Sequence, residues 1–247
     1  MIAVAILAAD APAWAAELKV LAAGATEATI RDMLGSFEKE SGNTVTLTYG
    51  AVGALRDRLY AGESADVVIA TPAILDQLEA KGLIAKGART IMGRVGGGIA
   101  VRRGAPEPSI ATPEELKQAL LATEHVYYAD PATATAGAYF LKVADQLGVG
   151  DVVRRKGRTA PGGKEAMAAM AKDPGSAIGL TQASEIVSVP EVKLLGPYPA
   201  GLQLMTTYAG AIVIRAKQPA AAEDFLRYLT SAAVQARFRR GGFELAN

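Results

Sequence analysis

The residues with most scope for chemistry in this 247-residue chain lie in short runs where an apolar stretch gives way to a helical pattern. The run "AAGAT" carries Gly24, Ala25 and Thr26. "YGAVGAL" carries Ala51 and Val52, "ATPA" carries Thr71, and "PATATAG" carries Thr133, Thr135 and Ala136. "APGGK" supplies Gly162 and Gly163, the strand-like "AIGLTQ" ends on Gln182, and Tyr208 stands in "TTYAGAIVI". Hydroxyls, one amide, one phenol and small residues make poor acids and bases. Their positions suggest binding instead, because the first turn of a helix leaves backbone N–H groups unsatisfied and carries about half a positive charge. Several such starts aimed at one cleft would hold an anion without lysine or arginine. A micromolar complex needs about 8 kcal/mol. Dipole effects of about 0.3–1 kcal/mol each fall short of that, whereas four to six hydrogen bonds to a charged ligand, at roughly 1.5–3 kcal/mol each, reach it if water is excluded.

Other chemistries find little support. There are no cysteines, which removes disulfides and thiolates. A single histidine, His125, speaks against a His-based metal site or a serine triad. Twenty-six basic and twenty-five acidic residues leave a net charge of +1, without the concentrated basic face that nucleic acid requires. "PGGKEA" is similar to a phosphate loop, but Glu165 follows Lys164 where Ser or Thr is needed, so no nucleotide site is expected. Asp130 reads as a turn former, and His125 opens a strand away from its carboxyl end. Arg94, on an extended segment, is the arginine chosen to pair a carboxylate bidentately. No metal and no cofactor are expected.

The elements that must position these residues alternate. "ELKVLAA" reads as a strand, "ATIRDMLGSFEKESG" as an amphipathic helix closed by Gly42, and "TVTLTYG" as a second strand. A helix over "AVGALRDRLYAG" follows. The fully apolar "ADVVIA" suits the inside of a parallel sheet, and Thr71 and Pro72 open the next helix. "RVGGGIAVRRGAP" reads as an extended crossover whose glycines give flexibility. Thr112, Pro113 and Glu115 cap a further helix, "HVYYAD" is a strand, and "SAIGLTQASEI" a strand and turn. "TTYAGAIVIRAK" reads as a long strand before one or two C-terminal helices. Regular β–α alternation implies an α/β fold with a mostly parallel sheet flanked by helices, and ligands bind at the carboxyl edges of such strands.

Residues 1–15 have the pattern of an export signal: an apolar run at Ile2–Ala9, then Ala13-Trp14-Ala15 as a small-x-small cleavage site. Eight apolar residues are too few to span a bilayer. The mature chain is expected to begin near Ala16 and to reside in the periplasm.

"KVLAAGATEATIRDMLGSFEKESGNTVTLTYGAVGALRDRLYAGESADVVIATPAILDQLEAKGLI", "ADPATATAGAYFLKVADQLG" and "AIGLTQASEI" together resemble the periplasmic molybdate-binding proteins, over nearly the whole mature chain. That resemblance implies a type II periplasmic binding protein of two α/β lobes. Lobe 1 would comprise residues 16–93 and 206–247 and lobe 2 residues 94–205, joined by crossovers near Arg94–Arg102 and Thr206–Ile214. It implies a monomer that takes a small anion between the lobes and docks on the membrane subunit of an ABC importer. Where the family places serines in its first two turns, this chain has Gly24 and the Ala51–Val52 pair. Thr71, Ala136, Gly162 with Gly163, and Gln182 match the remaining binding positions. Two lost hydroxyls would cost an oxyanion about 1 kcal/mol or more each, so the expected ligand is an organic carboxylate rather than molybdate or tungstate. The chain also resembles a divergent branch with "AGA" and "YG..GAL" turns, to which aconitate isomerase is similar. The resemblance therefore implies two alternative roles, as an isomerase of a small unsaturated polycarboxylate and as a molybdate- or tungstate-binding protein.

Overall fold

The computed structural model describes residues 15–244, and the proposed export signal lies almost wholly outside them. The first half opens with strand β1 (Glu17–Ala23), a single 3-10 turn (Gly24–Thr26) and helix α1 (Glu27–Ser41). Gly42 closes α1 in the left-handed region, at φ 73°. Strand β2 (Thr44–Gly50), helix α2 (Val52–Tyr60), strand β3 (Val67–Ala70) and helix α3 (Pro72–Ala80) follow as the alternation predicts.

Strand β4 (Thr90–Arg102) begins earlier than the sequence suggests and serves both halves. Beyond it come α4 (Pro113–Ala122), β5 (His125–Ala129), α5 (Thr135–Gln146), α6 (Gly150–Lys156), β6 (Gly157–Ala160), α7 (Gly163–Met170) and β7 (Ala177–Gln182). The turn expected after β7 is a short helix, α8 (Ala183–Val187). The chain then forms β8 (Val192–Pro197), β9 (Met205–Ile212), α9 (Pro219–Leu229), α10 (Ala232–Arg240) and the two-residue β10 (Phe243–Glu244).

Ten strands share one mixed, curled sheet, its main path running β2-β1-β3-β9-β4-β7-β5-β6. Each end is parallel: β1 pairs with β2 and β3, and β5 with β6 and β7. The middle is antiparallel, because β9 lies between β3 and the first part of β4 while β7 and β8 pair with its second part. The architecture is thus a two-lobe α/β fold with β4 and β9 at the junction. Its apolar side chains gather in separate clusters. One joins Phe37 of the first half to Phe225 and Phe238 of the C-terminal helices α9 and α10, which pack back onto it. Another holds Phe140, Leu120 and Ile178 of the second, and a third packs Met167, Met170 and Ile186 beneath α7 and α8.

Gly96, Gly97 and Gly98 owe their place to packing. A β-carbon on Gly96 would lie 2.8 Å from Gln203, and one on Gly98 would lie 2.8 Å from Leu194.

Buried Asp66 staples the first half together. Its carboxylate accepts the backbone N–H groups of Lys19 (2.8 Å), Lys217 (2.7 Å) and Gln218 (3.0 Å). It thereby ties β1 and the start of α9 to β3.

Candidate functional site

The strand-to-helix turns of both halves converge on one cavity of about 30 Å³, room for about two waters. Gly24, Ala25, Ala51 and Val52 line it from the first half, and Thr135, Ala136, Gly162, Gly163 and Gln182 from the second, with Tyr208 of β9 between them. The helix starts at Val52, Thr135 and Gly163 carry no side-chain cap; Gly53 gives its N–H to Thr133 and Gly163 gives its own to Glu185, which leaves the first N–H groups of Val52 and Thr135 to a ligand.

Four residues expected from sequence lie outside the cavity. Thr26 spends its hydroxyl on the carbonyl of Ala23 at 2.8 Å, closing its own turn. Thr71 is buried at the start of α3, where its side chain caps nothing. Thr133 contributes its carbonyl rather than its hydroxyl, accepting the N–H of Gly53 at 2.9 Å. Arg94 is paired with Glu244 at 2.9 Å on an exposed part of the sheet. Away from the cavity, Asp130 accepts the N–H of Ala132 as a turn former does, and His125 lies 2.6 Å from Asp173.

The halves meet across the cavity. The Gly53–Thr133 hydrogen bond joins α2 to the loop before α5. Lys164 at the start of α7 reaches Glu27 of α1 at 2.9 Å, and Glu27 also holds Arg31 at 2.9 Å. Gln182 lines the cavity and also ties the crossover strands. In the amide orientation that satisfies its neighbours, its nitrogen donates to the carbonyls of Val95 (3.3 Å) and Gly96 (3.2 Å) and its oxygen accepts from Thr206 (2.8 Å).

Sequence reasoning missed Glu185, the carboxylic acid in the cavity lining. It is the third residue of α8, is 8% exposed, and accepts the Thr181 hydroxyl on Oε2 at 2.5 Å. Two glycines make room for it. A β-carbon on Gly24 would stand 3.1 Å from Glu185 Oε1, and one on Gly163 would collide with Oε2 and with Thr181. Gly24 therefore packs against the protein's own carboxyl group. A signal was present: Glu185 follows Ala183 and Ser184 and precedes Ile186 and Val187, an apolar setting for an acid.

Burial pushes the Glu185 carboxyl up to about 6, only partly offset by the Thr181 hydroxyl and the N–H groups of Gln182 and Gly163, while Glu165 raises it further. Burial, followed by the charge on Glu185, holds the Tyr208 phenol well above its usual range, so it stays a neutral donor. The upward shift of Glu185 sets a pH dependence with the less common sign for an acid. Below about pH 4.5 the group is protonated in both folded and unfolded chains. Between about pH 4.5 and 6 the unfolded chain releases this proton while the buried carboxyl keeps it, so stability falls by about 2 kcal/mol across that window. Urea unfolding at pH 4.5 and 7.5 is expected to show Glu185→Gln gaining about that much on the wild type between the two. Parallel curves would show the carboxyl to be unperturbed.

Among the described residues, no group of three His, Asp or Glu side chains comes together to hold a metal ion.

Two halves closing on a cavity of helix starts define a class of solute-binding fold, and comparison with known proteins agrees. The family model for bacterial extracellular solute-binding proteins matches residues 18–244, and the chain belongs to that family. It is 34% identical over 239 residues to an aconitate isomerase of Pseudomonas sp, a match covering 92% of this chain and 88% of that protein. The periplasmic molybdate-binding protein of Azotobacter vinelandii has the same fold, with a TM-score of 0.78 at 19% identity over 93% of this chain and 100% of that one. So has the sulfate-binding protein of Mycobacterium tuberculosis, with a TM-score of 0.78 at 16% identity over 94% and 88%.

Proposed function

We propose that this chain is a periplasmic binding protein whose interlobe cleft takes a small organic carboxylate. The observation that carries this reading is the carboxyl group of Glu185 inside a cavity otherwise lined by small residues at strand-to-helix turns. An ionised carboxylate only accepts hydrogen bonds, and a metal oxyanion also presents only acceptors, so the two repel. An organic acid can direct its carboxylates to the helix starts at Val52 and Thr135 and its C–H or O–H groups to Glu185. A polycarboxylate exceeds the closed cavity, so the lobes, residues 16–93 with 206–247 against 94–205, part to admit it. Monomeric action and delivery to an ABC importer follow from the solute-binding role. A thermal-shift screen tests the ligand class. Di- or tricarboxylates are expected to raise the melting temperature by mass action, and a response to molybdate or tungstate alone would refute the carboxylate reading.

A second reading, favoured by the named relative and by Glu185, is that the same cleft converts cis- and trans-aconitate. Such a reaction moves a proton along an allylic system and needs a base within reach of the substrate, and Glu185 is a carboxyl group so placed. Nuclear magnetic resonance of the purified protein with either isomer decides it; an absence of conversion would sink the isomerase reading.

A further inference from the structure

A second space between the halves adjoins the small cavity. It is a groove of about 440 Å³, lined by Glu27, Arg31 and Tyr49 of the first half and by Lys164 and Glu165 of the second. Three elements serve both spaces. Ala25, Gly50 and Gly163 line the cavity, and Glu27, Tyr49 and Lys164 stand one or two residues away along the chain. The Lys164–Glu27 ion pair joins the halves in this groove. Lys164 Nζ and Arg31 Nε both lie 2.9 Å from the same oxygen, Oε1 of Glu27, so Glu27 keeps a partner if Lys164 leaves. Glu165 leans back over its own helix start, where a β-carbon on Gly162 would collide with its Oε2. Tyr49 packs its ring under the Arg31 guanidinium, 5.0 Å from the ring centre, and its buried hydroxyl has no hydrogen-bond partner among the described residues. Burial holds that phenol well above its usual range despite the Arg31 charge, so it remains a donor.

Resting on the carboxylate reading, we infer that this groove is the subsite for a second carboxylate of the ligand. One carboxylate lies at the helix starts of Val52 and Thr135, and another is held by the Lys164 ammonium and the Tyr49 hydroxyl. Lys164 exchanges Glu27 for the ligand, and Glu27 stays with Arg31. An ammonium suits that exchange, because its three donors turn on a flexible stem, whereas a guanidinium is a fixed fork. The groove holds two basic and two acidic residues, so its charges balance before binding. The incoming group is therefore held by directed donors rather than by an excess of positive charge. The Tyr49 hydroxyl gains the acceptor it lacks, and a buried donor left unpaired is costly. The groove thereby selects for acids with more than one carboxylate: a monocarboxylate seated at the helix starts leaves Lys164 on Glu27.

Calorimetric titration of trans-aconitate into wild type and three variants tests this. Lys164→Gln is expected to weaken binding by about tenfold or more, the loss of one charge-assisted contact. Glu27→Gln breaks the same ion pair but frees Lys164 for the ligand, so its affinity should stay within about threefold of wild type or rise. Glu27→Gln weakened as much as Lys164→Gln would overturn the subsite and leave the ion pair as a clasp between the halves. Lys164→Gln binding within twofold of wild type would also overturn it, with the carboxylate reading intact. Tyr49→Phe is expected to weaken binding roughly fivefold while the unliganded protein keeps its Tm, since the hydroxyl makes no bond there. An unchanged affinity in Tyr49→Phe would overturn the part given to the hydroxyl. Wild type that binds no di- or tricarboxylate would refute the carboxylate reading, and this inference with it.

Discussion

Gly53→Val is expected to weaken ligand binding at least tenfold while leaving the unliganded protein stable. Gly53 sits in the first turn of α2, with its N–H bonded to the Thr133 carbonyl of the opposite half. A β-carbon there would stand 2.8 Å from that carbonyl oxygen and 3.0 Å from the Thr133 α-carbon. Both are backbone atoms and cannot swing aside as the end of a flexible side chain would. The halves must separate, which removes the hydrogen bond and admits water to the helix starts, where hydrogen bonds to an anion then lose much of their strength. Tenfold corresponds to about 1.4 kcal/mol, a modest demand for a backbone collision. Within α2 itself the change is tolerated, since valine is no worse than glycine inside a helix. Calorimetric titration of trans-aconitate gives the affinity, and small-angle scattering gives a readout independent of ligand: the variant should have a larger radius of gyration than wild type. Unchanged affinity and unchanged scattering together would show that closure does not pass through this contact.

Asp66→Ala should be the most destabilising of the substitutions considered. Its carboxylate satisfies three backbone donors, those of Lys19, Lys217 and Gln218, in a largely buried setting. Truncation leaves all three without an acceptor, at about 1–3 kcal/mol for each buried group. Allowing for partial access of water, about 3–5 kcal/mol is expected, or roughly 10 °C in Tm for a protein of this size. Asp66→Asn keeps one acceptor oxygen and should fall between. A urea midpoint for Asp66→Ala that places it within 1 kcal/mol of wild type would mean that the staple contributes little.

Much of the fold was legible in the sequence because its signals are local. The apolar run at Val67–Ala70, the Pro72 helix start and the Thr112–Glu115 capping box each lie within a few residues, and each forms as expected. The turns that line the cavity were legible for the same reason. What escaped notice depends on contacts distant in sequence. Arg94 reads as a free arginine until β10 brings Glu244 to it from 150 residues away. Glu185 passed unremarked because α8 has five residues, too few to show a helical period, and because its surroundings are completed by Gly24 and Gly163 on separate elements. Thr26 and Thr133 show the converse: correct turns, but hydroxyls that the local backbone uses or ignores.

The central claim is that the cleft takes an organic carboxylate, and calorimetric titration of wild-type protein tests it most directly. With cis- and trans-aconitate in the syringe, saturable binding at one site per chain is predicted, alongside no measurable heat with molybdate. Saturable binding of molybdate with no heat from any di- or tricarboxylate would contradict it.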